Sequence, residues 1–205
     1  MTVENSPPGS VRPRGRTERV RQAVVAATHA QFRAHGYPSL TVERVAEAAG
    51  VAKSTVYRRW RDTAGLLLEV LREMSGAQIP LVDTGSVDED LRQLAVSIVR
   101  VYSDSENGPM VLAMIAEAVH DPRVADELRA FWRDRNENAA DAVRRGIRRG
   151  ELPADTDPVD VIRTLAAPLY YRMLVTHEPV DETIATRAAA AALAAARAGA
   201  LDTAG

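Results

Sequence analysis

Residues 40–60 read LTVERVAEAAGVAKSTVYRRW, and no other stretch narrows the possible folds as much. Two short helical segments, 42–49 and 53–59, are joined by Ala49-Gly50-Val51, with Thr41 placed to cap the first. So tight a turn closes only if Gly50 takes a backbone conformation that a Cβ disfavours. This is helix-turn-helix spacing. Val45, Ala46, Ala49, Val51 and Val56 are small or apolar, so the two helices can cross closely and rest on a third. That third helix is expected over 17–35, where Val20, Val24 and Ala27 form a stripe, Phe32 lies near the end and Gly36 is a stop signal.

The second short helix turns Lys53, Ser54, Thr55, Tyr57, Arg58 and Arg59 outward, all able to hydrogen-bond. Such a face suits the major groove of DNA, where the first residues of a recognition helix meet base edges and hydroxyl and basic groups meet phosphates. Lys53 can donate to guanine or to a phosphate, and Ser54 and Thr55 can donate or accept. Thr41 brings a hydroxyl and free backbone N–H groups to a phosphate, and Arg44 reaches either phosphate or base. Charge agrees: residues 1–61 hold eleven Lys/Arg against four acids, a balance of +7, while the remainder carries −9. A basic segment joined to an acidic one points to a polyanion as partner of the first.

The ordered text Phe32, Gly36-Tyr37, Leu40-Thr41-Val42, Val45-Ala46, Ala49-Gly50-Val51, Thr55-Val56-Tyr57, Trp60 and Leu66-Leu67 resembles the N-terminal domain of TetR-family transcriptional regulators over roughly residues 17–75. The resemblance implies a three-helix DNA-binding domain, a larger helical ligand-binding and dimerisation domain, and repression relieved by a small molecule. It implies that Tyr57 contacts a phosphate, that Lys53, Ser54 and Thr55 face the bases, and that the residue matching Trp60 packs between the domains. Two positions depart from the family: Ala52 replaces a common Ser or Gly, losing a cap, and Thr63 replaces a common phosphate-contacting Lys. The run 170–179 also resembles a C-terminal subgroup of the family.

Alanine makes up 35 of 205 residues and aromatics only 4%, so the whole chain is read as all-α. Helices are expected near 62–75 with Asp62 as cap, then 88–103, 110–119, 122–149, 159–176 and 182–198, with a linker over 76–85. Pro168 interrupts a helical pattern and is expected to kink it. The domains are expected to be a disordered basic arm over 1–15, a helix-turn-helix domain over 16–62 and a ligand-binding and dimerisation domain over 63–205. In the arm, Arg12-Pro13-Arg14-Gly15-Arg16 resembles an AT-hook core, which would carry Arg14 and Arg16 into an A·T minor groove.

Met110, Met114, Phe131, Trp132, Asn136, Tyr170 and Met173 are candidates for a ligand pocket, being apolar or aromatic with one polar group on a helical stripe. The Ala-rich end of the chain lets helices approach closely, and the resemblance implies a homodimer through the last two helices. Without cysteine there is no disulfide, thiolate nucleophile or cysteine-held metal. His29, His35, His120 and His177 are scattered and no phosphate loop or hydrolase motif occurs, so no catalytic residue and no cofactor is expected. No apolar run approaches the ~20 residues of a membrane span, and the start of the chain lacks a signal peptide's apolar segment, so a cytoplasmic protein is expected.

The expected function is a homodimeric repressor bound to a palindromic double-stranded DNA operator and released by a small-molecule ligand of unknown identity. The residues leave open an activator or a regulator without a ligand. They also leave open a helical binding or catalytic protein whose basic hairpin meets something other than DNA.

Overall fold

The computed structural model describes residues 13–79, 81–103 and 107–203, leaving aside the side chains of residues 13, 14 and 75–78. Nine α-helices account for most of it: α1 Pro13–His35, α2 Val42–Ala48, α3 Lys53–Trp60, α4 Thr63–Gln78, α5 Val87–Tyr102, α6 Asn107–His120, α7 Pro122–Arg148, α8 Pro158–Tyr170 and α9 Glu182–Arg197. The described residues contain no β-strand, only an isolated bridge between Thr156 and Asp202. Packing divides the chain into two compact units, with the division between Leu66 and Leu67, inside α4.

In the first unit α1 packs on α2, and α2 on α3. Val24, Val45, Ala46 and Val56 are fully or almost fully buried, with Phe32 and Val42 beside them. Buried Thr28 satisfies its hydroxyl by donating to the Val24 carbonyl at 2.8 Å. α1 is helical from the first described residue, Pro13, earlier than expected. Gly15, assigned above to a disordered arm, lies in a helical turn, as does Arg16, which was expected to start the next domain. Residues 1–12, with Arg12, and the Arg14 side chain lie outside the described residues.

In the second unit the main packing is of α9 on α5 and α8, α8 on α7, and α7 on α6. Ala185, Ala188, Ala189, Ala192 and Ala196 are the buried side of α9, where small side chains bring the helix axes close. Asp121, Asp157 and Asp181 cap α7, α8 and α9, accepting from the Arg123, Val159 and Ile184 N–H groups. Buried Asp90 on α5 accepts from both N and Oγ1 of Thr84 and pairs with Arg145 of α7 at 3.3 Å, which fixes the segment before α5.

Three boundaries differ from expectation. α4 runs to Gln78, into the expected linker, and α6 starts at Asn107 rather than 110, with the buried Asn107 amide donating to the Val101 carbonyl. The helix over 159–176 stays α-helical through Pro168 but widens into a π-helical turn over Tyr171–Thr176. His177, in a left-handed conformation, ends it.

Candidate nucleic-acid interface

Thr41 Oγ1 accepts from the Arg44 N–H at 3.2 Å and so caps α2, while its own hydroxyl proton stays available to an outside acceptor. α2 ends in a Schellman arrangement: Val51 N–H donates to the Ala46 carbonyl at 2.9 Å and Gly50 N–H to that of Glu47 at 3.1 Å. Gly50 has φ 63°, the left-handed value the sequence required. Ala52 precedes α3 without a side-chain cap, as its missing oxygen dictates.

With Val56 and Trp60 buried, α3 exposes Lys53, Ser54, Tyr57, Arg58 and Arg59, while Thr55 is half-buried. Thr41 and Arg44 are exposed on α2, where an Arg44 guanidinium nitrogen donates back to the Ser39 carbonyl at 3.3 Å. Arg16 is exposed near the start of α1. Thr55 does not lie on the same flank as Tyr57. It lines an open groove of about 1150 Å³ between α1 and α3, together with Arg16, Arg19, Arg58 and Arg59.

Two features of this surface escaped sequence reasoning. The Tyr57 hydroxyl donates to Glu43 Oε1 at 2.8 Å. That bond holds the Glu43 carboxyl below its usual range, and the adjacent carboxylate pushes the Tyr57 phenol up. Arg19 also joins the groove, and its spacing of three residues from Arg16 on one helix was the available signal. Arg59 braces the helices: it donates to the Thr17 carbonyl at 3.3 Å and lies 4.8 Å from the Trp60 ring centroid.

The pocket candidates separate in the second unit. Met110 and Met114 are completely buried in α6, and Phe131 is buried in α7. Phe131, Trp132 and Tyr170 meet in one aromatic cluster with Tyr102, which was not anticipated; Trp132 and Tyr170 lie 5.1 Å apart and Tyr102 and Tyr170 5.3 Å. Met173 accepts from Ser103 Oγ and lines, with Tyr102, Leu112 and His177, a separate open groove of about 530 Å³. Asn136 is half-buried on α7, in neither the cluster's ring contacts nor this groove.

Beside the cluster, burial lowers the pKa of Arg135, which is influenced by Tyr170 and Tyr102. Its guanidinium donates to the Ile79 carbonyl at 3.2 Å. Among the described residues, no group of His, Asp or Glu could hold a metal ion, and no helix is long and apolar enough to cross a membrane.

Residues 24–70 match the sequence profile of bacterial regulatory proteins of the tetR family, and residues 81–192 that of the tetracyclin repressor-like C-terminal domain. The chain is 31% identical to the HTH-type transcriptional regulator AqdR of Rhodococcus erythropolis, over 81% of this chain and 79% of that protein. It is 27% identical to the DNA-binding transcriptional repressor TetR of Mycobacteroides abscessus, over 74% and 80%. The crystal structure of the TetR family transcription regulator SCO0332 superposes with a TM-score of 0.75 at 28% identity, covering 85% of this chain and 97% of that one. These relatives are transcriptional regulators, not enzymes. With a helix-turn-helix whose exposed face is polar and basic, and with family profiles matching both parts of the chain, this protein belongs to the TetR family of DNA-binding transcriptional regulators.

Proposed function

We propose that this regulator is a homodimeric repressor that sets α3 in the major groove of each half of a palindromic operator and is released by a small-molecule ligand. The exposed face of α3 carries this reading. Lys53 and Ser54 stand free at the helix start to meet base edges, with Thr55 beside them. Thr41, Arg44, Tyr57 and Arg58 are assigned to phosphates. Residues 16–62 would then form the DNA-binding domain and 63–205 the ligand-binding and dimerisation domain, working in the cytoplasm where the operator is.

The dimer rests on the outward side of the last two helices. Ala190, Ala191, Ala194 and Ala198 on and after α9, and Ala167, Pro168, Tyr171 and Val175 on α8 and its π turn, are exposed, small or apolar. A second copy covers such a surface by close helix packing, and the dimer's two α3 helices read half-sites whose centres lie about 34–36 Å apart or a multiple of that. The ligand is assigned to the cluster of Tyr102, Phe131, Trp132 and Tyr170, with Arg135 as its polar anchor; Met110, Met114, Asn136 and Met173 remain candidates for its wider lining. Release follows if the ligand prefers a state in which the two DNA-binding domains no longer match the half-sites.

The test is binding of purified protein to the DNA upstream of its own gene and to random duplex at several salt concentrations. A clear preference with a steep salt slope is expected. Equal, salt-insensitive binding to both overturns the reading.

A further inference from the structure

The two flanks of α3 differ in charge. On the α2 flank the hydrogen-bonding groups are Thr41, Tyr57 and a single cation, Arg44, which donates to the Ser39 carbonyl, and the Tyr57 hydroxyl rests on a carboxylate. On the α1 flank lies the groove of about 1150 Å³, lined by Arg16, Arg19, Arg58 and Arg59, with no acidic residue lining it among the described residues. The nearest acid on α1, Glu18, is occupied by Arg21, with Nη2 to Oε1 at 2.8 Å.

The groove's cations are partly preset. Arg59 is held by the Thr17 carbonyl and the Trp60 ring, and Arg19 Nε donates to the Gly15 carbonyl at 3.2 Å, leaving its terminal nitrogens for another acceptor. Four guanidinium groups around an open groove of this size exceed what one small anion needs. They match a chain of anions passing alongside the recognition helix.

We infer that the α1–α3 groove seats the phosphodiester backbone of one DNA strand, with Arg16 and Arg19 as phosphate clamps. This rests on the DNA-binding reading above and replaces the minor-groove role considered for Arg16, whose backbone is helical rather than extended. The two strands are then held by different chemistry: one by four guanidinium groups in the α1–α3 groove, the other by the hydroxyls of Thr41 and Tyr57 with Arg44 as a lone cation. The salt dependence of binding resides mainly on the α1 side.

The experiment uses the full chain and the duplex that it enriches from a random library, with a scrambled duplex of equal composition. Binding is titrated at several salt concentrations for the wild type, Arg16→Ala, Arg19→Ala and Arg19→Lys, each checked for native helicity. In the dimer each alanine substitution removes two phosphate contacts, so each variant is expected to lower the slope of log K against log salt by about 1.8 and to weaken both duplexes by the same factor, and Arg19→Lys restores the slope. An unchanged slope in both alanine variants, with normal wild-type binding, overturns the groove assignment and leaves DNA binding standing. A loss confined to duplexes with A·T-rich flanks overturns it in favour of minor-groove contact. Absence of salt-dependent binding by the wild type overturns both.

Discussion

Tyr57 and Glu43 are fourteen residues apart yet joined by a 2.8 Å hydrogen bond across the crossing of α2 and α3, where the phenol is the donor. A phenol has one proton, so Tyr57 can serve a DNA phosphate only by leaving Glu43, and the freed carboxylate then faces the phosphates. Glu43→Gln keeps an acceptor for Tyr57 but removes the charge. It is expected to tighten binding to DNA of any sequence by about three- to tenfold at low salt, the gain shrinking as salt screens it. In a Tyr57→Phe background the gain from Glu43→Gln should be smaller, because the hydroxyl is no longer there to be released. Weaker binding by Glu43→Gln, read by fluorescence anisotropy, would mean that the carboxylate serves to position Tyr57.

Lys53 stands at the first position of α3, exposed, with no cap ahead of it. A side chain there reaches a base edge in the major groove, so Lys53→Ala should cost about 1–3 kcal/mol on the preferred site and less on a scrambled one. Tyr57→Phe, at a phosphate, should weaken both alike. Equal losses on the two duplexes for Lys53→Ala would move it to the backbone.

A Cβ built on Gly65 would lie 2.0 Å from the Trp60 carbonyl oxygen and 3.0 Å from its carbon. Helix propensity alone favours alanine over glycine by about 1 kcal/mol, so propensity and packing predict opposite signs. Backbone atoms cannot swing aside as a side-chain tip can. Gly65→Ala is therefore expected to destabilise the protein by about 3 kcal/mol in thermal or denaturant unfolding.

Arg61 sits at φ 69°, ψ −54°, and Asp62 N–H donates to the Trp60 carbonyl at 2.8 Å, which makes the α3–α4 connection a γ-turn. An L-residue is strained there by about 1–3 kcal/mol, and the exposed Arg61 side chain offers little packing in return. Arg61→Gly should remove that strain at a smaller entropic cost and raise the melting temperature by about 2–4 °C. A lower melting temperature would show that the side chain outweighs the strain.

The helix-turn-helix was legible because its determinants are local: the apolar spacing of Val42, Val45 and Val56, the cap at Thr41 and the obligatory glycine at 50 all lie within twenty-one residues. The first turns of α1 were not, since Pro13 and Gly15 read as breakers although the chain is helical through both. The bond between Tyr57 and Glu43 and the groove of Arg16, Arg19 and Arg58 depend on how helices cross, which periodicity does not encode. The aromatic cluster draws Tyr102 from α5, Trp132 from α7 and Tyr170 from α8, so no single stripe reveals it. Met110 and Met114, apolar at helical spacing, have the same pattern whether they line a cavity or fill the core, and here they are completely buried.

The start of α5 gathers carboxylates whose protons are disfavoured. Asp88 accepts from Arg197 of α9, with Nη1 to Oδ1 at 3.1 Å, and that bond lowers its pKa. Glu89, bonded to Arg92 and Gln93, is lowered to about 2. Glu151, bonded to Arg149 and accepting from the Val87 N–H at 2.7 Å, is lowered too. Each pKa is lower in the folded state than in the unfolded chain, so unfolded protein binds protons more readily. The contribution is complete above the ordinary carboxylate range and is lost as pH falls through the lowered folded-state values, which for Glu89 means towards about 2. The Asp88–Arg197 pair is half-exposed, with side-chain accessibilities of 55% and 45%, so solvent screening holds its share to about 1 kcal/mol or less. Arg197→Ala should therefore lower the melting temperature by at most about 2–4 °C at pH 7, and the difference from wild type should shrink as pH falls below the ordinary aspartate range and Asp88 takes up its proton. A difference that persists unchanged at acid pH would assign the role of Arg197 to its packing across α9 instead of its charge.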